Sequence, residues 1–477
     1  CIIILLARPI AMAPPSSTEV PSSFPLIALF LLSVLPVAIA LLFGSDLSLL
    51  TTETLIGVDL GTTFSTVAVC RGGEARVIPV MAGPSSGHAA ATSRSPDTSR
   101  TTGLASGSDR LVNVTPSVVT YLRKPSARAT STGLQAYTTL VGAEARSRRD
   151  EGSYVYATKR LIGRPFEHDA VQTEKQQLGY DVVAADDGAT TQISLDGGKL
   201  VVTPEDVGGA VLAQLVTAAE QSLGWLNSAL GFRFKALTVS VPVGFDVDQR
   251  RATINAARKY VPNVRQVRLL EEPIAAALAF GLHEEYRQAG SGASATKNLV
   301  VFDFGGGTLD VALIDFDANN DGFVVVGAGG DSRLGGEDFD RAIAQLLVQK
   351  CGAGDESGGV DVQLAAETAK RELGLSEEVF VNVPCHTSLT RHDVDAAVAP
   401  LVKRMVGAVS HLLEEHFTST SSIDDVVLVG GSSRMYLVEP ALRKFFSNST
   451  RIRSDVDGET AIALGAARSF GCSAGGR

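Results

Sequence analysis

A short pattern occurs twice in the chain, about 240 residues apart, and this repeat constrains the fold more than any other feature. Residues 56–69 read IGVDLGTTFSTVAV, and residues 300–314 read VVFDFGGGTLDVALI. Each copy is an apolar β-run, an aspartate, a turn rich in Gly and Thr, and a second β-run, which is typical of a β-hairpin. One such turn is an ordinary tight hairpin. Two copies in register predict two similar lobes that face each other across a cleft.

The two turns have the composition of phosphate-binding loops. Glycine lets the backbone approach an anion closely, and the amides and threonine hydroxyls of such a turn can donate hydrogen bonds to phosphate oxygens. Asp59 and Asp303 hold equivalent positions, and two carboxylates that face one cleft suit a hydrated Mg²⁺ ion. Asp310 follows the second turn and could orient an attacking water. No GxxxxGKS/T pattern occurs, so these are not Walker loops. The predicted loop residues are Gly61, Thr62, Thr63, Gly305, Gly306, Gly307 and Thr308.

A third glycine element lies at residues 425–435, DVVLVGGSSRM. A buried β-run ends at Gly430 and Gly431 and meets Ser432, so its turn offers amides to an anion at a helix N-terminus. Arg434 could then lie flat on an adenine ring. A plain strand-to-helix turn is the alternative interpretation.

Strands alternate with helices along the rest of the chain, which predicts an α/β architecture. Residues 237–241 are a β-rich run and residues 249–259 have a helical pattern. Residues 203–223 predict a helix that Thr203 caps and whose third position is Asp206. Residues 82–110, 123–138 and 351–359 are predicted to be mobile surface segments, because small and polar residues dominate them.

The composition excludes some classes of protein. The chain has 477 residues, too many for one ordinary core, and its net charge of -10 argues against a nucleic-acid-binding protein. The five cysteines form no CxxC pair, so a zinc site is not expected. Because their number is odd and their spacing wide, we also expect thiols rather than a disulfide framework.

The N-terminal region predicts entry into the secretory pathway. The chain opens with Cys1, and Met12 is a plausible true start. Residues 25–40 form an apolar run that ends in the small-x-small sequence Ala38-Ile39-Ala40, the layout of a cleaved signal peptide. The run continues to Phe43, so an uncleaved membrane anchor is the alternative. We expect the protein in the lumen of the endoplasmic reticulum or of the wider secretory pathway, or anchored to a membrane, with no other membrane contact.

From Leu55 to Phe470 the chain resembles the ATPase domain of the heat shock protein 70 chaperones. The matching segments are IGVDLGTTFS (56–65), NVTPSVVTY (113–121), VGAEA (141–145), ATKRLIGR (157–164), TVSVPVGFDVDQRRAT (238–253), RLLEEPIAAALAFGL (268–282), FDFGGGTLDV (302–311), RLGGEDFD (333–340), AKREL (369–373), VVLVGGSSR (426–434) and AIALGAA (461–467). The resemblance implies the actin-like, hexokinase-like α/β fold, with a first lobe at 55–290, a second at 298–454 and a return to the first at 455–470. ATP or ADP and Mg²⁺ are the implied cofactors, and K⁺ is a further candidate.

The resemblance also implies roles for single residues. Lys159 matches the lysine that places the hydrolytic water, and Glu272 matches the active-site glutamate near the metal. Asp59, Asp303 and Asp310 match the metal-holding and water-holding acids. Adenosine contacts are implied for Glu367, Lys370, Arg371, Gly374, Arg434 and Glu459, with Arg371 and Arg434 enclosing the base. Three positions depart from the family pattern, with Phe64 for Tyr, Gly374 for Ser and Glu459 for Asp.

The chain ends soon after Phe470, and the tail at 471–477 is too short for a peptide-binding domain. With the N-terminal run, this resembles the truncated secretory type of the family, which is an ATPase core. We therefore expect an Mg²⁺-dependent ATPase that acts in protein folding through co-chaperones or exchange factors and binds no peptide itself. A nucleotide-switched binding module with negligible turnover is the alternative, and a sugar kinase on the same fold is a more distant one.

Overall fold

A computed structural model describes residues 55–81, 111–128, 130–223, 234–289, 296–317, 322–352, 360–469 and 472. All of these belong to one compact unit, Glu53–Arg477. The predicted signal peptide or anchor at residues 25–40 and the predicted surface segment at 82–110 lie outside the described residues.

The described residues contain 21 strands and eleven α-helices. The strands are β1 (Leu55–Leu60), β2 (Phe64–Arg71), β3 (Glu74–Val77), β4 (Val80–Met81), β5 (Leu111–Val112), β6 (Thr115–Pro116), β7 (Val119–Arg123), β8 (Tyr137–Val141), β9 (Ser153–Val155), β10 (Asp181–Ala184), β11 (Thr191–Leu195), β12 (Leu200–Val202), β13 (Ala236–Val241), β14 (Gln266–Glu271), β15 (Lys297–Phe304), β16 (Leu309–Asp317), β17 (Gly322–Asp331), β18 (Glu378–Val381), β19 (Thr387–Thr390), β20 (Asp425–Val429) and β21 (Arg451–Arg453). The helices are α1 (Gly142–Ser147), α2 (Asp169–Lys175), α3 (Pro204–Ser222), α4 (Val247–Tyr260), α5 (Glu272–Ala279), α6 (Leu282–Ala289), α7 (Gly336–Lys350), α8 (Val360–Glu372), α9 (Arg391–Glu415), α10 (Val438–Phe445) and α11 (Ala461–Arg468).

Two large sheets share one plan. The first has the order β14-β13-β1-β2-β3, with β6 also paired to β2, and the second has the order β21-β20-β15-β16-β17. In each sheet the central strand pairs antiparallel with the next strand along the chain and parallel with a strand that arrives later through helices. The repeat seen in the sequence thus extends to whole sheets, and the predicted α/β class with duplicated hairpins is confirmed.

The strand register makes the two hairpins directly comparable. The last paired residues are Leu60 with Ser65 in the first hairpin and Phe304 with Leu309 in the second, so both turns have the same length. Asp59 and Asp303 each stand one residue before that last pair. Opposite Asp59 is Thr66, whereas opposite Asp303 is Asp310. The second hairpin therefore carries one acid more than the first.

Helices α5 and α11 cross between the sheets. Helix α5 follows a strand of the first sheet, yet its Ala276 and Ala277 pack in the core of the second sheet. Helix α11 follows a strand of the second sheet, yet its Ala463 and Ala467 pack against the first. The two helices also touch each other, because Gly465 lies against the Ala275 backbone and leaves no room for a Cβ atom.

The predicted helix at residues 203–223 is confirmed as α3, and the one at 249–259 lies within α4. The Thr203 side chain accepts from the Asp206 amide, and the Asp206 side chain accepts from the Thr203 amide, which forms a capping box. Among the described residues, α9 is the one helix long and apolar enough to cross a membrane by length and composition. Its Val398, Met405 and Val409 are fully buried in the core of the second sheet, so one face of the helix packs on that core.

Two expectations from the sequence are wrong. Cys70 is disulfide-bonded to Cys472 with a Cα–Cα distance of 6.0 Å, and Cys351 is bonded to Cys385 at 5.8 Å. Spacing along the chain did not reveal these pairs, since the first joins residues 402 positions apart.

Residues 123–138 are also not a mobile surface segment throughout, because Arg123 donates to the Tyr137 hydroxyl and to Asp196, both at 2.8 Å.

Candidate nucleotide-binding site

The two hairpin aspartates face a common set of charged groups. Asp59 lies close enough to Asp303 for its charge to raise the pKa of Asp303. The Ser240 hydroxyl of β13 donates to Asp59 Oδ1 at 2.9 Å and so fixes the orientation of that carboxylate. Ser240 was not among the site residues expected from the sequence. Its signal was its place in the segment at 238–253, on the strand next to β1.

Lys159 is the cation of this cluster. It lies in a short 3₁₀ helix, Thr158–Arg160, that follows Ala157 in a left-handed conformation with φ of 57°. Its Nζ donates to Glu272 Oε1 at 2.6 Å, and the two side chains are only 12% and 15% exposed. Residues 113 positions apart are thus joined in one ion pair, with Glu272 held at the start of α5.

The excess of carboxylates shifts the pKa values in the cluster. Burial raises the pKa of Asp59 to about 6, although Lys159 opposes this shift. Burial, followed by the charges of Asp310, Glu272 and Asp59, raises the pKa of Asp303 well above its usual value. Burial lowers the pKa of Lys159, but the charges of Glu272, Asp59 and Asp310 outweigh it, so the net shift is upward. The cluster needs additional positive charge for all its carboxylates to be ionised.

Asp310 lies at the open side of this cluster. It is accessible to solvent, yet the surrounding protein still raises its pKa through desolvation and the charge of Glu272. The Thr308 hydroxyl donates to Asp310 Oδ2 at 3.1 Å. In the first hairpin the equivalent position is Thr66, which donates to the Glu459 carbonyl at 3.4 Å instead. Asp310, the additional acid of the second hairpin, is therefore exposed to solvent.

The second loop has free amides. The Gly305 amide donates to the Thr308 carbonyl within the loop, whereas within the described chain the amides of Gly306 and Gly307 have no acceptor. Such amides, with Thr308, suit phosphate oxygens. The first loop has Gly61, where a Cβ atom would collide with the Phe64 backbone, and Thr62 and Thr63 beside it.

The first two residues of α7 support the second loop. Gly336 donates to the Gly305 carbonyl at 3.1 Å and Glu337 donates to the Gly306 carbonyl at 2.8 Å. Across the cleft, Arg160 approaches Gly307, and its charge opposes the upward pKa shift that burial gives Glu337. Arg160, Gly336 and Glu337 lie in segments that match the family pattern, yet they were not among the site residues expected from the sequence.

The residues expected to contact adenosine form a connected group beside the phosphate loops. A Cβ atom on Gly336 would meet both Ser432 and Lys370, and Lys370 donates to the Gly336 carbonyl at 3.1 Å. Gly430 packs against Phe304 and Asp303, which links the third glycine turn to the second loop. The turn at Gly431–Arg434 is a 3₁₀ helix, so the helix N-terminus expected at this point begins only with α10.

The two arginines expected to enclose the base are engaged with acids. Arg434 pairs with Asp457 and lies 3.6 Å from Glu459, and Arg371 pairs with Glu367 at 2.5 Å on α8. All five side chains are partly or well exposed, so these are weak surface pairs that a ligand could displace.

Two further predicted residues lie at the edge of this group. Gly374 follows α8, and its carbonyl accepts from Arg391 at 3.3 Å. Phe64 begins β2, pairs with Pro116 and is 44% exposed. The Gly374 amide also donates to the carbonyl of Arg371, another predicted site residue, at 3.1 Å.

The donor set fits Mg²⁺ held through water. Asp59 and Asp303 offer hard oxygen ligands in a cluster with excess negative charge. In the part of the chain that the structure describes, no three His, Cys, Asp or Glu side chains converge on one point as direct ligands. An ion at this place would therefore keep most of its own waters, as Mg²⁺ commonly does.

Comparison with known proteins agrees with this geometry. The family described as Hsp70 protein matches residues 108–476. The chaperone protein DnaK of Stenotrophomonas maltophilia (strain R551-3) is 32% identical over 439 residues, which cover 87% of this chain and 58% of that protein. The chain thus spans less than two thirds of the length of this relative.

Proposed function

Because the chain belongs to the Hsp70 protein family, we propose that it binds ATP with Mg²⁺ and hydrolyses it to ADP and phosphate. Its fold is the actin-like ATPase fold of that family, as predicted from the sequence. The observation that carries the proposal is the largely buried Lys159–Glu272 pair, set between the two hairpin aspartates and Asp310. A purely structural ion pair would not need three further carboxylates around it.

In this proposal each residue has a distinct task. Asp59 and Asp303 would hold the hydrated Mg²⁺, which would offset the charge of the phosphates when bound. The amides of Gly306 and Gly307 orient the terminal phosphates, and Asp310 orients the attacking water. Lys159, kept cationic by its carboxylate neighbours, stabilises the negative charge that develops on the transferred phosphoryl group.

The adenosine contacts belong to the same proposal. Lys370 and Ser432 meet at Gly336, and Arg434 lies near Glu459, so one side of the cleft carries both cationic and hydroxyl groups. We propose that Arg371 and Arg434 leave their surface acids to stack on the base when nucleotide binds, since guanidinium groups stack on aromatic faces.

We also propose that the protein works in the secretory pathway, as a chaperone ATPase of the microsomal stress-70 ATPase core type. Two disulfides support an oxidising compartment, because such bonds are rare in cytosolic proteins. The apolar run at residues 25–40 supports entry through a signal peptide or an anchor. Assistance to protein folding would then come through co-chaperones or exchange factors that bind the nucleotide-controlled lobes.

The test of the ATPase is Lys159→Ala. We expect this variant to bind Mg²⁺-nucleotide nearly as well as the wild type but to lose most of its single-turnover hydrolysis, because Lys159 acts mainly in the transition state. Lys350→Ala is a control, because Lys350 is the last residue of α7, at the helix end opposite to Gly336, and pairs with Asp393 at 2.9 Å. Normal hydrolysis by Lys159→Ala, or none by the wild type, would favour the nucleotide-switched binding module.

A further inference from the structure

The chain has two Asn-x-Thr triplets of the kind that accept N-linked oligosaccharide, Asn113-Val114-Thr115 and Asn448-Ser449-Thr450. We propose that Asn448 is N-glycosylated and that Asn113 is not. This inference rests on the proposed secretory location, since the transferase and its donor act in that compartment.

Asn448 lies at the tip of a turn. The Thr450 amide donates to the Ser447 carbonyl at 3.1 Å, so Asn448 and Ser449 occupy the two central positions of a β-turn between α10 and β21. Both are exposed, and the Asn448 side chain makes no hydrogen bond to any residue that the structure describes. A bulky oligosaccharide on this amide would therefore displace no protein contact.

The third residue of the triplet is placed differently. Thr450 is only 5% exposed, and its hydroxyl donates to the Ile423 carbonyl at 2.9 Å. The hydroxyl is thus occupied in the folded protein but free in a nascent chain. Transfer to Asn448 therefore has to precede folding of this turn, as expected for a chain modified during entry into the lumen.

The position of Asn448 is compatible with the proposed ATPase. Strand β21 begins at Arg451, which stands beside Asp425 at the start of β20, whereas Gly430 follows the other end of β20. The length of β20 therefore separates Asp425, which lies beside β21, from Gly430 by roughly 16 Å. An oligosaccharide on Asn448 lies at the edge of the second sheet opposite to the phosphate loops and leaves the cleft open.

Asn113 differs in two respects. Thr115 is followed by Pro116, which restricts the Thr115 backbone to extended conformations and opposes the bend that brings its hydroxyl back toward the Asn amide. Thr115 is also paired with Ser65 in the first sheet, and Ser117 donates to the Thr63 carbonyl of the first phosphate loop at 2.9 Å. Since transfer precedes folding, this pairing does not itself block transfer to Asn113. It places the triplet next to the first phosphate loop, whereas Asn448 is remote from the cleft.

The transfer is a balanced substitution. The Asn448 Nδ2 atom forms a bond to the anomeric carbon of a lipid-pyrophosphate-linked oligosaccharide. The bond from that carbon to the pyrophosphate oxygen breaks with its electron pair, and one amide proton passes to a base of the transferase. Nothing is oxidised or reduced, so no further reactant is needed.

The test is translation of the full chain with microsomes, followed by protease protection and by gel mobility before and after peptide N-glycosidase. We expect a protected product that loses one mobility step on glycosidase treatment. Asn448→Gln should lack this step, whereas Asn113→Gln and Ser449→Ala should keep it. Ser449→Ala is the matched control because it alters the same turn and leaves the triplet intact. Glycosidase treatment in heavy-oxygen water should also mark position 448 of the wild type as a labelled Asp, independently of any variant.

The possible failures are distinguishable. A protected chain that the glycosidase does not shift overturns the glycosylation of Asn448 and leaves the secretory location standing. A step that disappears in Asn113→Gln and persists in Asn448→Gln overturns the choice of site. A product that protease digests fully and that carries no oligosaccharide contradicts both the location and the modification, while the ATPase proposal is untouched.

Discussion

The Asp59 side chain contributes to the candidate site but lowers the stability of the folded protein when it is ionised. Its carboxylate is buried beside Glu272 and Asp303, so its pKa rises from 3.8 to about 6. Ser240 and Lys159 stabilise the charged form only in part. An ion or ligand with positive charge would complete the balance, and without one the ionised carboxylate weakens the folded state.

The first prediction concerns the pH dependence of this effect. An acid whose pKa is higher in the folded state binds more protons there, so its contribution to the free energy of unfolding falls as pH rises from about 4 to about 6. Without nucleotide or Mg²⁺, Asp59→Asn should therefore be more stable than the wild type by about 1–3 kcal/mol near pH 7. The gain should vanish towards pH 4. Urea unfolding at both pH values, in chelator, measures it.

Asp393 provides a control of opposite sign. Its hydrogen bond from Lys350, with those from Thr390, lowers its pKa to about 2, so it stabilises the fold above its unfolded pKa of 3.8 and loses this effect as pH falls through about 2. Asp393→Asn should be less stable than the wild type near pH 7. If both variants shift stability in the same direction, desolvation of Asp59 is not the cause.

The same carboxylates give the second prediction. Asp59→Asn and Asp303→Asn should each weaken Mg²⁺-nucleotide binding or turnover at least tenfold, which corresponds to about 1.4 kcal/mol. The reason is that each amide retains the shape of the side chain but removes one charge that would hold the hydrated ion. Isothermal titration with and without Mg²⁺, together with steady-state hydrolysis, measures the loss. If both variants bound Mg²⁺-nucleotide and hydrolysed ATP as the wild type does, the proposed role of the two aspartates in the cleft would be wrong.

At the scale of elements, the contact between α5 and α11 decides how the two sheets are joined. Gly465 lets α11 lie directly on the Ala275 backbone of α5, and each helix buries alanines in the sheet opposite to the one it follows. Small residues at a helix crossing allow a close approach, so this contact fixes how the two helices pack between the sheets.

The third prediction tests this crossing. Gly465→Ala should destabilise the protein by about 1–3 kcal/mol, because its new Cβ atom collides with the Ala275 backbone, which cannot yield without moving α5. Gly407→Ala in α9 is the matched control, since no atom lies within 4 Å of its Cβ position and alanine favours a helix by about 0.5–1 kcal/mol. Thermal unfolding measures the stability change of each variant. Equal shifts of the melting temperature in the two variants would contradict the prediction.

At the scale of the whole molecule, the Cys70–Cys472 disulfide links two segments that are 402 positions apart in the chain. It joins β2 of the first sheet to the segment after α11, and both half-cystines are 4% exposed. Cys351–Cys385 instead joins the end of α7 to the turn between β18 and β19, only 34 positions away. The longer loop restricts the unfolded chain more.

The fourth prediction follows from these lengths. The double variant Cys70→Ser with Cys472→Ser should lose about 2–5 kcal/mol of unfolding free energy under oxidising conditions. The chain-entropy difference between the two loops makes this loss about 2 kcal/mol larger than that of Cys351→Ser with Cys385→Ser. Denaturant midpoints with and without reductant measure both. Wild-type midpoints that do not respond to reductant would show that the bonds do not form.

The sequence by itself determined the local structure and the equivalence of the two loops. Hairpin turns, the Thr203 cap and the positions of Asp59 and Asp303 depend on residues close in the chain, where glycine, alternation and capping chemistry act directly. The resemblance to a family supplied Lys159 and Glu272, which no local pattern would have paired.

Only the tertiary structure decided which distant residues meet. The Lys159–Glu272 pair, the Ser240 contact to Asp59 and the Cys70–Cys472 bond each join segments more than a hundred positions apart. The crossing of α5 and α11 is of the same kind, because it depends on which sheet each helix finds, not on its own periodicity. The physical reason is that burial and pairing energies depend on the surroundings that the whole fold creates, whereas the spacing of residues along the chain sets only short-range geometry.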